Sequence, residues 1–259
     1  MVEAQSQHIS AGSGAAARDI AVLKRDGGSP GLFWLGGYLS DMSGTKAVVI
    51  DQHAADRGWQ ATRFDYSGHG ASGGRFEDGT ISDWLEDSIA AFEGATAGRQ
   101  IVIGSSMGGW LALLMAEALR DSGRIAGLVL IAPAADMTHD LMWQRFDPAA
   151  RAVMTATGVF EVPNEESDDP YPITLKLIED GKKHLFGDRL IETGCPVHIL
   201  QGAADAEVPW QHAADLVSHL ASDDVVFTMI KDGDHRLSRP EDLARITAAI
   251  DEMATEIVD

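Results

Sequence analysis

Short apolar runs alternate along this chain with segments whose apolar residues recur at helical spacing. The apolar runs predict buried strands at residues 32–35, 61–65, 101–103, 125–132, 195–202 and 225–230. Helical spacing predicts helices at residues 43–57, 81–95, 211–219 and 240–257. An earlier strand at 20–25 is expected to pair antiparallel with 8–10. This alternation predicts an α/β fold built on a doubly wound, mostly parallel sheet.

The stretch Gly104-Ser-Ser-Met-Gly108 joins a predicted strand directly to an Ala- and Leu-rich helix. A Gly-x-Ser-x-Gly spacing between strand and helix predicts a nucleophile elbow, in which the serine is held in a strained conformation. Ser106 is therefore the expected nucleophile, and the backbone N–H of Met107 is expected to face a developing oxyanion. Ser105 is the rival, but Ile103 and Met107 would then crowd the turn. A glycine-rich turn without chemistry is the alternative.

A serine hydroxyl needs a general base, which is most often a neutral histidine held by a carboxylate. Folds with a nucleophile elbow supply serine, acid and histidine in that chain order. Asp205 and His235 each follow one of the last two predicted strands, so both are expected at the same edge of the sheet. Glu207 and Asp136 are rival acids. The remaining candidate histidines lie within predicted strands, helices or the segment after residue 133: His139, His184, His198, His212 and His219.

The predicted strand at 32–35 ends in Gly36-Gly37-Tyr38. A continuous apolar run that ends in paired glycines is typical of a central strand whose exit loop approaches another group closely. This loop is expected to supply the second oxyanion donor through the backbone N–H of Tyr38.

The sequence contains neither a complete dinucleotide-binding motif nor a metal-binding motif. A G-x-G-x-x-G match occurs at 68–73 after a strand, but a dinucleotide site needs a helix that opens within the motif, and the next helix begins near Ile81. A loop at the rim of a pocket is the preferred interpretation. No His-Glu-x-x-His, cysteine pair or carboxylate set has metal-binding spacing, so neither a metal nor a cofactor is expected.

Regular patterning stops after Pro133 and resumes at Cys195. The segment 134–193 carries bulky apolar side chains, several prolines and an acidic patch at 165–169, and it shows no clear strand. We therefore predict a cap insertion with short helices over the catalytic edge, with a surface helix pair of no functional role as the alternative. The candidate pocket residues are Trp210, Met142 and Trp143.

Composition limits the classes of partner. A chain of 259 residues without an internal linker is expected to form one domain over 1–259. The formal net charge of −20 disfavours nucleic acid and anionic lipid as partners, and no apolar run is long enough to span a membrane. Cys195 is the only cysteine, which excludes a disulfide framework. An N-terminus with neither a signal-peptide nor a transit-peptide pattern predicts a cytoplasmic protein.

Together these motifs resemble the α/β-hydrolase superfamily. The resemblance is carried by Leu35-Gly-Gly-Tyr38, Ser43-Gly-Thr-Lys-Ala47, Phe64-Asp-Tyr-Ser-Gly68, Gly104-Ser-Ser-Met-Gly-Gly-Trp110, Asp205 with Val208-Pro-Trp210, and Asp234-His235. It runs from about Leu32 to the C-terminal helix. It is strongest toward a branch of mitochondrial palmitoyl-protein thioesterases and acyl-glucuronide esterases. The absent transit-peptide pattern suggests a bacterial relative, and the 134–193 segment matches less well.

The resemblance implies a mechanism and a set of functional residues. Ser106 would be the nucleophile, with Asp205 and His235 as its partners and the N–H groups of Tyr38 and Met107 as oxyanion donors. The implied activity is cofactor-free cleavage of acyl thioesters or carboxylic esters through an acyl-enzyme, on a small molecule or an acylated protein. The alternatives are a small-ester or acyl-glucuronide carboxylesterase with the same triad, and a non-catalytic binding protein of the same fold.

Overall fold

The computed structural model describes residues 4–163, 170–221 and 224–257, so the acidic patch at 165–169 lies outside the described residues. The strands are β1 (Gln5–Ala11), β2 (Arg18–Arg25), β3 (Gly28–Leu35), β4 (Trp59–Phe64), β5 (Gln100–Ser105), β6 (Ile125–Ile131), β7 (Val159–Val162), β8 (Tyr171–Thr174), β9 (Val197–Gly202) and β10 (Val225–Ile230). The α-helices are α1 (Thr45–Arg57), α2 (Ile81–Ala95), α3 (Met107–Leu119), α4 (Pro148–Thr157), α5 (Leu175–Gly181), α6 (Trp210–His219) and α7 (Pro240–Glu256).

The main sheet has the strand order β1-β2-β4-β3-β5-β6-β9-β10. The pairs β1–β2 and β2–β4 are antiparallel, and the pairs from β4 to β10 are parallel. The predicted mostly parallel sheet and the antiparallel pairing of the first two strands are therefore confirmed. Because parallel strands point the same way, the carboxyl ends of β3, β5, β6, β9 and β10 meet at one edge of the sheet.

The central strands are apolar at nearly every position because helices cover both faces of the sheet. In β5, Val102 packs into one core with residues of α2, α3 and α6. Its neighbours Ile101 and Ile103 point to the opposite face and pack with residues of α1 and α7. This alternation fills two separate cores, as a doubly wound sheet requires.

Helix α3 is the most deeply buried of these helices, since every residue from Met107 to Ala116 is inaccessible or nearly so. A helix that is apolar on all sides belongs either in a protein core or in a bilayer. Here the helix has 13 residues and packs against the central strands of the sheet. Among the described residues, no helix is both long and apolar enough to cross a membrane.

Between β6 and β9 the chain leaves the sheet and forms what we call the inserted segment, residues 134–193. It contains a π-helical turn (Thr138–Trp143), α4, α5 and an antiparallel hairpin of β7 and β8. The sequence predicted short helices here but no clear strand, and the hairpin corrects that prediction. Each hairpin strand has only four residues, most of them half-buried, and β8 contains Pro172. Such short strands show too few alternations to be recognised.

The turn from β5 into α3 brings three backbones unusually close together. A Cβ added to Gly104 would lie 2.3 Å from the carbonyl oxygen of Gly108. A Cβ added to Gly108 would lie 2.2 Å from the carbonyl oxygen of Leu35, at the end of β3. Both positions of the Gly-x-Ser-x-Gly motif therefore require glycine, because any side chain would force the backbone apart.

A buried ion pair fastens the early strands to α2. The fully buried carboxylate of Asp87 accepts hydrogen bonds from Arg18 Nε at 2.7 Å and from the N–H and hydroxyl of Ser67 at 2.9 and 2.6 Å. Burial raises the pKa of Asp87, while the hydrogen bonds from Ser67 and Arg18 lower it. The charged carboxylate is thus costly to bury without these partners.

We expect Arg18→Met to lower the free energy of unfolding by about 3 kcal/mol near pH 8, because the Asp87 carboxylate then stays buried without its cation. The loss should shrink near pH 5, since a carboxyl whose pKa is raised in the folded state is stabilised by protonation as pH falls. Urea denaturation of variant and wild type at both pH values measures this. Arg18→Met combined with Asp87→Asn is the control and should lose less than Arg18→Met alone. Equal losses at both pH values would contradict the assignment.

The close approach at the β5–α3 turn predicts that Gly108→Ala lowers the free energy of unfolding by at least about 3 kcal/mol, because the new Cβ must displace the backbone of Leu35. Gly123→Ala is the matched control. Gly123 has a left-handed φ of 62°, but no atom lies within 4 Å of an added Cβ, so its loss should be only about 1 kcal/mol. Chemical denaturation followed by circular dichroism compares the two variants. Similar losses would show that the turn has room to relax.

Candidate active site

Ser106 lies at the tip of the β5–α3 turn with φ 54° and ψ −117°. A positive φ is strained for a residue that carries a side chain. Two hydrogen bonds hold this conformation: the N–H of Ser106 donates to the carbonyl of Ile131 at 2.9 Å, and the N–H of Ala134 donates to the carbonyl of Ser106 at 3.1 Å. The strand, sharp turn and helix predicted for this stretch are present, and the strain falls on the serine named as nucleophile.

The structure brings Ser106, His235 and Asp205 into one chain of hydrogen bonds. His235 Nε2 lies 3.1 Å from Ser106 Oγ, and His235 Nδ1 lies 2.8 Å from Asp205 Oδ2. The Asp205 side chain is completely buried, whereas the His235 side chain is 16% exposed. A buried carboxylate on Nδ1 fixes the tautomer that leaves Nε2 free to accept a proton from the serine hydroxyl.

The loop after β9 holds the Asp205 carboxylate in place. Oδ1 accepts the backbone N–H groups of Glu207 and Val208 at 2.9 and 2.8 Å. Gln201, the penultimate residue of β9, donates its amide to Oδ2 at 3.2 Å. The carboxylate therefore has partners for both oxygens, as a buried charge needs. The sequence did not identify Gln201, because its role depends on how the loop folds back on the strand.

None of the rival candidates takes the place of Ser106 or Asp205 in this chain of hydrogen bonds. The Asp136 carboxylate accepts the N–H groups of Phe186 and Gly187 at 2.9 to 3.0 Å and so closes the inserted segment. Burial raises the pKa of Asp136, and those backbone bonds oppose the increase. Ser105 is a buried residue of β5. Glu207 does approach His235, but on the side of Nε2, at 3.6 Å.

Two backbone N–H groups lie beside Ser106. The N–H of Met107 belongs to the first residue of α3, and such a group has no acceptor within its own helix. Tyr38 lies in the turn after β3, where Gly37 is so close that an added Cβ would be 3.4 Å from the Cβ of Ser106. Within the described part of the chain, no group accepts a hydrogen bond from the Tyr38 N–H. Both groups lie next to Ser106 in this way, and their role as oxyanion donors stays a prediction from the sequence.

The side chain of Tyr38 connects this turn to the inserted segment. Its hydroxyl donates to the carbonyl of Pro172 in β8 at 2.8 Å. Its ring makes edge contacts with Phe76, Trp84 and Tyr171, at centroid distances of 4.9 to 6.2 Å. Burial raises the pKa of the Tyr38 phenol. The phenol thus remains a neutral donor and holds the hairpin over the turn.

The three predicted pocket residues, Trp210, Met142 and Trp143, lie on two separate elements of the structure. Trp210 begins α6 and is 38% exposed. Trp143 packs against an apolar cluster within the inserted segment, and the Arg151 guanidinium carbon lies 5.3 Å from the centre of its ring. Met142 packs against both this cluster and the main core. A cavity of about 300 Å³ between the inserted segment and α6 is lined by other residues and includes no member of the triad. Their contact with substrate stays a prediction.

Lys46 was not predicted to have a role at the site. Its ammonium donates to the carbonyl of Arg236, next to His235, at 2.5 Å. Burial lowers the pKa of Lys46 to about 8, with a further contribution from the positive charge of Arg236. The contact joins the start of α1 to the loop after β10, and only the fold reveals it. Among residues 4–163, 170–221 and 224–257, no group of three or more His, Cys, Asp or Glu side chains could hold a metal ion.

Known proteins similar to this chain identify its family. Residues 39–166 match the family model described as serine aminopeptidase, S33. The chain is 32% identical over 240 residues to the mitochondrial palmitoyl-protein thioesterase ABHD10 of Pongo abelii, covering 92% of this chain and 78% of that protein.

Solved structures agree with this relationship. The crystal structure of a protein from Agrobacterium vitis S4 matches with a TM-score of 0.94 and 48% identity, over 97% of this chain and 99% of that one. Alpha/beta hydrolase domain-containing protein 10 from mouse matches with a TM-score of 0.87 and 28% identity, over the same shares. The strand order, the serine at the β5–α3 turn and these similarities lead to one conclusion: the chain belongs to the α/β-hydrolase family.

Proposed function

We propose that this protein is a serine hydrolase that cleaves acyl thioesters or carboxylic esters with Ser106 as its nucleophile. The observation that carries the proposal is the continuous chain of hydrogen bonds from Ser106 through His235 to the buried Asp205. The similarity to proteins named palmitoyl-protein thioesterase supports the choice of acyl substrate. No cofactor is needed for this chemistry, since the nucleophile, base and electrostatic support all come from the chain.

In the first half of the reaction, His235 Nε2 removes the proton from Ser106 Oγ as the oxygen attacks the acyl carbonyl. The carbonyl oxygen becomes an oxyanion, which the N–H groups of Tyr38 and Met107 stabilise. The tetrahedral intermediate then collapses: the bond to the leaving oxygen or sulfur breaks, and His235 returns its proton to that atom. The products are the acyl-enzyme on Ser106 and a free alcohol or thiol.

In the second half, a water molecule attacks the acyl-enzyme while His235 Nε2 accepts its proton. The same N–H groups stabilise the second oxyanion, and collapse releases the carboxylic acid and restores the Ser106 hydroxyl. Asp205 keeps the imidazole in the productive tautomer and stabilises the imidazolium formed in each half. Its own hydrogen bonds from the loop after β9 hold the carboxylate in place.

The inserted segment serves as the cap in this proposal. It accepts a hydrogen bond from Tyr38 on one side of the site, and on the other side Arg145 donates to the carbonyl of Glu207 at 2.8 Å. These two contacts, to the turn after β3 and to the loop after β9, support a role for the inserted segment as a cap over an acyl substrate. Many of its apolar side chains also pack on one another, around Met154, Ile173 and Ile178.

The proposal predicts that a fluorophosphonate forms an adduct on Ser106, and that Ser106→Ala abolishes it and lowers turnover by about 10⁴-fold or more. Mass spectrometry of the labelled protein locates the adduct. Ser105→Ala is the matched control, because this neighbouring serine is a buried residue of β5 and its replacement should leave labelling intact. An adduct on Ser105, or folded wild-type protein that remains unlabelled, would contradict the proposal and favour a non-catalytic binding protein.

We further expect a preference for long acyl chains. The ratio of kcat/KM for S-palmitoyl over S-acetyl thioesters of one thiol should be at least about 10-fold, which burial of two additional methylenes would supply. An octanoyl thioester provides an intermediate chain length. Each thioester should be assayed below the concentration at which it aggregates. A strong preference for the acetyl thioester would reject a long-chain pocket while leaving the serine chemistry in place.

A further inference from the structure

Glu207 places a carboxylate at the leaving-group side of the candidate site. Its Oε2 lies 3.6 Å from His235 Nε2, the nitrogen that also lies 3.1 Å from Ser106 Oγ. In the proposed reaction this nitrogen delivers a proton to the departing oxygen or sulfur. The Glu207 side chain is 72% exposed, so it is open to an incoming molecule. A leaving group must therefore pass close to a negative charge.

The main chain of Glu207 is held from two directions. Its N–H donates to Asp205 Oδ1 at 2.9 Å, and its carbonyl accepts from Arg145 at 2.8 Å. The guanidinium thus bonds to the backbone and not to the carboxylate. Among the described residues, no lysine or arginine forms an ion pair with the Glu207 carboxylate. The backbone of Glu207 is therefore held next to the triad, and no lysine or arginine of the described residues neutralises its side chain.

The inserted segment places an aromatic ring, that of Tyr171, close enough to Glu207 to experience its negative charge. Burial raises the pKa of the Tyr171 phenol, and the negative charge of Glu207 raises it further. Tyr171 lies in β8, and its ring contacts the ring of Tyr38 at 6.2 Å. A carboxylate near an aromatic ring is a combination that favours cations over anions.

We infer that Glu207 selects substrates by the charge of their leaving group, so that the site accepts acyl esters and thioesters with a neutral or cationic leaving group and discriminates against anionic ones. An acylated cysteine beside basic residues fits this rule, whereas an acyl glucuronide or a phosphate-bearing thioester does not. The inference rests on the proposed function, because it assumes acyl transfer at Ser106. The excess of acidic residues over the whole chain acts in the same direction, but it is not localised at the site.

Three thioesters with one acyl group and leaving thiols of similar size test the inference. Butyrylthiocholine carries a quaternary ammonium, S-(3,3-dimethylbutyl) thiobutyrate is its neutral counterpart, and S-(2-sulfonatoethyl) thiobutyrate carries a sulfonate. Release of the thiol gives kcat/KM for each substrate with wild type, Glu207→Gln and Glu93→Gln. Glu93 is an exposed residue near the end of α2, which leads to the amino end of β5, at the opposite edge of the sheet. Its replacement changes the net charge by the same amount.

In wild type, each unit of leaving-group charge should change kcat/KM by about 5-fold, the effect of an exposed carboxylate at about 5 Å, so cationic should exceed anionic by roughly 25-fold at low salt. Glu207→Gln should reduce this ratio to below about 3-fold, and Glu93→Gln should leave it unchanged. Salt of about 0.5 M should reduce the wild-type ratio, since it screens an exposed charge. Ratios within one enzyme cancel any change that Glu207→Gln makes to the triad itself.

The outcomes separate this inference from the proposed function. Hydrolysis of all three thioesters with similar kcat/KM, or an equal charge preference in wild type and Glu207→Gln, overturns the role of Glu207 and leaves the serine hydrolase standing. No hydrolysis of any thioester together with no fluorophosphonate adduct on Ser106 removes both. A ratio that falls equally in Glu93→Gln and Glu207→Gln would assign the selectivity to net charge and overturn the local role.

Discussion

The backbone of Ser106 is held at φ 54°, a conformation that costs about 1 to 3 kcal/mol for a residue with a side chain. The surrounding strands keep it there. Hydrogen bonds join Ser106 to Ile131, the last residue of β6, and to Ala134 in the following loop, and the end of β3 lies within backbone contact of Gly108. Because these central strands are packed on both faces, the turn cannot relax without opening the core. The packing that buries the sheet therefore also fixes the direction of the candidate nucleophile.

Three buried carboxylates show how similar residues are assigned different tasks by their partners. Asp87 accepts from Arg18 and fastens α2, and Asp136 accepts two backbone N–H groups and closes the inserted segment. Asp205 also accepts two backbone N–H groups, but its second oxygen faces an imidazole. The local environment of the carboxylate is therefore no guide to catalysis on its own. The group that lies opposite decides whether the charge stabilises the fold or orients a base.

Most of the sheet could be predicted from the sequence, because strands buried on both faces leave long apolar runs. The same logic placed Ser106, Asp205 and His235 at one edge, since each follows such a run. It failed for the β7–β8 hairpin, whose strands are short and half-buried. It also missed Lys46 and Gln201, whose contacts arise only when distant segments fold together. Sequence periodicity thus locates the ends of strands, while loop packing decides which polar groups meet there.

Tyr38 links the candidate oxyanion site to the inserted segment. Its backbone N–H is a candidate oxyanion donor, and its phenol is bonded to Pro172 in the hairpin of the inserted segment. The ring is also wedged between side chains of the main core and of β8. Displacing the hairpin would therefore move the same residue that we propose as an oxyanion donor. Because an oxyanion donor loses most of its effect when it moves from hydrogen-bond distance, a substrate that seats the hairpin correctly also completes the candidate site. The proposed function thus couples substrate selection by the inserted segment to the rate of acyl transfer through one side chain.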